Sequence, residues 1–146
     1  MALKTVYDNK IKYNKIVGTI DNLEEKLNGN IPIDRLELLY LVNSWGRHYK
    51  FYISGVNNME IEQCETKECY DLSKLDTSKI TNMDYIFKYS LFIGDINLWD
   101  VSNVTSMNEM FDYAKNFNQP LNNWNTSKVI DMKGMFRNSI FNQDIS

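Results

Sequence analysis

The stretch from Trp99 to Trp124, WDVSNVTSMNEMFDYAKNFNQPLNNW, is followed by a near-copy, WNTSKVIDMKGMFRNSIFNQDIS. A chain that repeats at a fixed period builds units that bury their apolar faces only against one another. The period therefore constrains the architecture before local propensity does. Aligned on Leu75, Trp99 and Trp124, three copies step by 24 and 25 residues. The heading residue is followed by Asp76, Asp100 or Asn125, and then by Ser78, Ser102 or Ser127. Asp or Asn two positions before Ser suits a turn in which a short polar side chain bonds to nearby backbone. The next columns are apolar: Ile80, Val104 and Val129, then Met83, Met107 and Met132.

A second apolar block comprises Ile86-Phe87, Met110-Phe111 and Met135-Phe136. A small residue follows in each copy (Ser90, Ala114, Ser139), and then Phe92, Phe117 or Phe141. This block reads as one face of a short helix, with the small column marking close approach of neighbouring helices. Ile96, Leu121 and Ile145 then open an extended segment, and Pro120, in the column of Asp95 and Asp144, fits a strand start or a turn. A helical turn plus a short strand in each repeat predicts a leucine-rich-repeat-like coil. A decayed earlier copy is visible at Val56–Met59, where VNNM stands 24 residues before ITNM. Its match fails at Gln63, in the Phe column.

The columns, above all WDVSNVTSMNEMFDYAKNFNQ and FNQDIS, resemble the BspA-like leucine-rich-repeat family in its mycoplasmal lipoprotein branch. The unit of that branch reads roughly W-D-T-S-x-V-T-x-M-x-x-M-F-x-x-A-x-x-F-N-Q-D-I. The resemblance covers residues 75–146. It implies a right-handed solenoid that binds other proteins, commonly on bacterial or parasite surfaces. It brings no catalytic residues with it.

The front half is different in kind. TVYDNKIKYNKIVGTI alternates loosely around the turn signal Asp8-Asn9 and fits a small hairpin. Asp21 is positioned to cap a short helix over NLEEKLN, with Gly29 as its stop. In PIDRLELLYLVNSWG, residues Ile33, Leu36, Leu39, Tyr40 and Asn43 share helical spacing, from Pro32 to a stop at Gly46. YKFYIS then alternates like a strand. The expected architecture is α+β: an N-terminal α+β cap over 1–55, then a repeat solenoid of about three coils over 56–146. Its divisions are a decayed coil at 56–74 and repeats at 75–98, 99–123 and 124–146. A solenoid needs such a cap because a bare first coil exposes its core.

Function is bounded chiefly by what the chain lacks. A net charge of −3 argues against a surface that tracks phosphates, and so against direct nucleic-acid binding. The acidic run Glu60, Glu62, Glu65, Glu68 and Asp71 reads as a solvated face. No stretch of the N-terminus is apolar enough for a signal-peptide core or a membrane span, which gives a cytoplasmic expectation. Cys64 and Cys69 are wrongly spaced for a redox pair, and with the single His48 they cannot complete a zinc site. A disulfide between them and two free thiols are both open readings. No nucleotide loop, zinc-protease or nucleophile motif occurs, and the repeated Asp76 and Asp100 read as turn formers rather than a catalytic pair. No enzyme, cofactor or metal is expected.

What is expected is a protein-binding module that docks a protein partner through the variable columns of its repeats. Tyr85, Tyr89 and Tyr113 stand in non-core columns of the helical side, and tyrosines bury much area at low entropic cost. Ordinary packing between coils is the competing account of these tyrosines. On the turn and strand side, Asn97, Asn122 and Asn123 offer polar contacts, although the chain is rich in Asn throughout. Ile145 marks the edge of the last coil, which no polar cap follows, so a homodimer through that coil is a further expectation. Two alternatives stay open. One is a small phage- or mobile-element inhibitor of a bacterial defence enzyme such as an RNA-guided nuclease, whose partner would be a nucleoprotein complex. The other is a fragment of a surface adhesin.

Overall fold

The computed structural model describes residues 20–44 and 70–144. The expected hairpin, the strand YKFYIS, the columns of the decayed coil, His48, Cys64, Cys69 and Ile145 lie outside the described residues. Among the described residues, two helices precede the repeats: α1, Leu23–Leu27, and α2, Arg35–Ser44.

α1 ends as its sequence requires. Gly29 takes φ +80°, its N–H reaches the Lys26 carbonyl, and the Asn30 N–H reaches that of Glu25. This is the pair of bonds that closes a helix through a left-handed residue. Its start differs from expectation, because Asn22, not Asp21, is the N-cap, with φ 54° and no side-chain cap bond.

α2 begins three residues after Pro32, where Asp34 and Glu37 form a reciprocal capping box. The Glu37 N–H donates to Asp34 Oδ1 at 2.8 Å, and the Asp34 N–H to Glu37 Oε1 at 3.1 Å. Lys26 joins the two helices through Glu37. The buried face of α2 is Leu38, Leu41 and Val42, whereas Leu36, placed in the apolar face by spacing, is 56% exposed. LELLYLV is apolar around most of its circumference, so spacing alone did not single out one stripe.

The repeats depart further from the expected helix and strand. Residues 70–144 contain no helix, and their only strand pairing is two isolated parallel bridges, Asn82↔Ser106 and Ser106↔Asp131. Where a helix was expected, residues 84–89, 108–113 and 133–138 run as consecutive turns. The reason lies in where the N–H groups go. Those of Ile86, Lys88 and Ser90 reach back three residues, to the Met83, Tyr85 and Phe87 carbonyls. Those of Met83, Tyr85, Phe87 and Tyr89 instead cross to Ser106, Asn108, Met110 and Asp112 of the next repeat, at 2.8–3.0 Å. A helix would need every N–H for its own carbonyl four residues back. The second phenylalanine also stands five residues beyond the first in the outer repeats and six in the middle one, a spacing no single helical face keeps.

Two columns alternate into left-handed backbone to sustain this zigzag: Tyr85 (65°), Glu109 (50°) and Gly134 (63°), then Tyr89 (57°), Tyr113 (57°) and Asn138 (55°). Positive φ at the third residue of a turn is the type II signature. The small column has a role other than close helix approach. Ser90 and Ser139 accept the N–H of Phe92 and Phe141 on their hydroxyls. Ala114 stands where the middle repeat carries its extra residue.

The Asx–Ser turns form in all three copies, with the Ser78, Ser102 and Ser127 N–H groups on Asp76, Asp100 and Asn125 at 3.0–3.1 Å. Inside, Phe87, Phe111 and Phe136 stack nearly parallel at 5.1 and 5.3 Å. These separations are close to the natural spacing of hydrogen-bonded strands. The tryptophans tie successive repeats together. Trp99 Nε1 donates to the Leu72 carbonyl at 2.8 Å, and Trp124 Nε1 to that of Ile96 at 2.9 Å.

Candidate functional site: a tyrosine ridge on a charged footing

The first two turn blocks bury an adjacent pair, Ile86-Phe87 and Met110-Phe111. Phe87 and Phe111 are buried, while Tyr85, Tyr89 and Tyr113 are 47%, 56% and 36% exposed on one flank. The left-handed conformation turns these tyrosines outward, and β-turn sterics there favour Gly or Asn over a bulky residue. Asn138 and Gly134 follow that preference in the third repeat, and the tyrosines do not.

The ridge is ordered by its own contacts. Tyr89 and Tyr113 stack at 4.9 Å. Lys88 Nζ lies 5.5 Å from the Tyr85 ring centroid and 5.7 Å from that of Tyr89, and Lys115 Nζ lies 5.2 Å from that of Tyr113. Such cation–π pairs hold flat rings upright at a wet surface.

Beneath the rings lies a charge network. Lys88 pairs with Glu109 at 2.8 Å and with Asp112 at 3.7 Å; Arg137 pairs with the same two carboxylates at 2.8 and 2.9 Å. Asp112 is buried, and the Arg137 hydrogen bonds hold its carboxyl below the ordinary range against the upward push of burial. The hydrogen bond to Glu109 raises Lys88, and the bond to Asp112 raises Arg137. Lys88, Asp112 and Arg137 are therefore all held as ions at neutral pH.

The spacing was enough to find this network. Lys88, Asp112 and Arg137 occupy one column of the repeat with alternating sign. The column has no shared residue type, since its sign alternates from copy to copy, so only charge complementarity between neighbouring copies marks it.

The expected asparagines are engaged between repeats. Asn97 Nδ2 donates to Asn122 Oδ1 at 3.1 Å, while Asn97 Oδ1 accepts the Asn123 N–H at 3.0 Å. The Asn97 amide thus joins neighbouring turns of two repeats. Ile145 lies outside the described residues. Among the described residues no cluster of His, Cys, Asp and Glu is arranged to hold a metal ion, and no helix is long and apolar enough to cross a membrane.

The chain belongs to the family described as Mycoplasma protein of unknown function, DUF285, whose profile matches residues 54–146. No curated protein and no solved structure matches it.

Proposed function

We propose that this chain is a non-enzymatic protein-binding module: a short leucine-rich-repeat-like solenoid of the BspA type, closed at its first repeat by the N-terminal α+β unit. It docks a protein partner with the Tyr85–Tyr89–Tyr113 ridge. The observation that carries this reading is the ridge itself: three half-exposed tyrosines, two of them stacked, interleaved with lysines over a fixed ionic footing. Rigid aromatic rings rimmed by charge have the composition of protein-interface hot spots.

Closure of the first repeat is supported by Arg35. Its Nε and Nη2 donate to the Asn82 and Asp84 carbonyls at 3.1 and 2.5 Å. These are the equivalents of the Ser106 and Asn108 carbonyls that take N–H groups from the repeat before them. Arg35 thus supplies donors that a preceding repeat would otherwise supply.

The test is affinity capture from native lysate with the full chain and with a Tyr89→Ala/Tyr113→Ala variant of unchanged circular dichroism. A stoichiometric protein retained by the first and lost by the second supports the reading. Equal retention by both removes the ridge from the function.

A further inference from the structure

The tyrosine ridge differs in charge between its inner and outer layers. In the inner layer, Glu109 and Asp112 are each paired with Lys88 and with Arg137. Their side chains are only 23% and 1% exposed. Asp84, next to Tyr85 in the chain, turns its carboxylate to the Ser106 hydroxyl at 2.6 Å and to the Asn108 N–H at 2.7 Å. Each of these three carboxylates therefore finds its donors within the protein.

The outer layer is not balanced in the same way. Lys115 is exposed, and its ammonium group stands over the Tyr113 ring. Among the described residues no carboxylate pairs with it. An ammonium group has three donors, and a ring face takes none of them as a carboxylate would. Tyr113 and Lys115 belong to the middle repeat, which has a described repeat on either side. They stand on the flank of the stack, not at one of its ends.

We infer that the partner segment that lies on this ridge is an acidic peptide stretch, one of whose carboxylates pairs with Lys115. Its neighbouring side chains cover the exposed parts of Tyr89 and Tyr113, whose hydroxyls can donate to further carboxylates. The site rests on the ridge being the docking surface proposed above, and the sign of the partner rests on Lys115. The rings supply contact area, while the lysine chooses between partners of opposite charge.

Rings interleaved with lysines also serve single-stranded nucleic acid, whose bases stack on open ring faces while its phosphates follow a basic groove. Here Tyr89 and Tyr113 spend a face on each other, and an ammonium group stands over each of the three rings. Lys88 is already held by two carboxylates, so Lys115 stands without another unpaired cation beside it to follow a phosphate chain. A single anionic side chain matches a single cation, and the net charge of −3 does not favour a polyanion.

The test selects a random peptide library displayed on phage against the full chain. Bound clones are then sorted by whether the Tyr89→Ala/Tyr113→Ala chain, folded by circular dichroism, still takes them. Clones lost with the tyrosines should be enriched in Asp and Glu. Their synthetic peptides should bind Lys115→Gln about three- to fivefold more weakly, the size of one exposed ion pair, and should bind the parent chain more weakly as salt rises. Lys115→Gln should keep its Tm, since the ammonium group holds nothing among the described residues but the Tyr113 ring. The inference is overturned, with the ridge still a docking surface, if tyrosine-dependent clones show no acidic enrichment or bind Lys115→Gln as tightly as the parent. If no clone depends on the tyrosines, the docking role of the ridge fails and the acidic partner with it. Tyrosine-dependent binding of oligothymidine in place of acidic peptides would assign the ridge to single-stranded nucleic acid and overturn the inference.

Discussion

Replacing Trp99 by Phe tests whether the indole column holds neighbouring repeats together. Trp99 is 2% exposed, and its N–H donates to the buried Leu72 at 2.8 Å. Losing that hydrogen bond costs about 1 kcal/mol, because the Leu72 carbonyl keeps its bond from the Leu75 N–H at 3.3 Å and is not orphaned. The smaller ring also leaves roughly 40 Å³ unfilled, worth ~1 kcal/mol as a cavity, with a comparable loss of transfer free energy. The expected total is about 2–3 kcal/mol, or a Tm lowered by roughly 5–10 °C for a chain of this size.

Trp124→Phe makes the same chemical change where the ring packs only partly against the core and borders an open cavity. There the hydrogen bond is lost without enclosing a new void, so about 1 kcal/mol is expected. Urea titration of both variants, followed by far-ultraviolet circular dichroism at an unchanged m-value, measures the difference. Equal losses, or a larger loss at Trp124, would refute the account in which depth within the repeat stack sets the magnitude.

Other outcomes follow from the same contacts. Asp112 has a lowered pKa in the folded chain, so the unfolded chain takes up the proton first as pH falls. Its stabilisation is present above the ordinary carboxylate value of ~4 and is lost as pH drops through the lower folded value. Arg137→Gln should lower Tm at neutral pH and flatten the acid limb, though not fully, since Asp71 and Asp100 are lowered by hydrogen bonds within their own turns and Asp131 chiefly by its hydrogen bond with Asn108 of the preceding repeat. Thermal melts from pH 6 to pH 3 check this. Gly29→Ala should cost at least ~2 kcal/mol in urea titrations, because φ is +80° and a Cβ would meet the Lys74 carbonyl oxygen at 2.3 Å. Gly134→Ala shares the left-handed conformation, but its nearest contact is the Glu109 side chain at 3.3 Å, so about 1 kcal/mol is expected. Hydrogen exchange should be slow at the Phe87 and Phe111 amides, which cross between repeats, and fast at Phe136, whose N–H finds no acceptor among the described residues.

The sequence by itself determined the register. Its columns located the phenylalanine stack, the heading tryptophans and the Asx–Ser turns, because close packing and short side-chain–backbone bonds impose fixed residue types at fixed spacing. It also held the alternating charges of Lys88, Asp112 and Arg137, and the Gly29 stop of α1.

Tertiary structure decided the rest. Whether Ile86-Phe87 lies on a helix or in a run of turns depends on where the Tyr85 and Phe87 N–H groups find carbonyls. Those carbonyls belong to Asn108 and Met110, in another repeat. Which stripe of α2 is buried depended on what it packs against, since its own sequence is apolar on more than one side. The outward pose of the tyrosines follows from left-handed backbone at Tyr85, Tyr89 and Tyr113, which the inter-repeat ladder selects against the local preference of a bulky residue. Spacing along a chain records which residues recur; the direction in which a backbone donor points is settled only when the neighbouring repeat is in place.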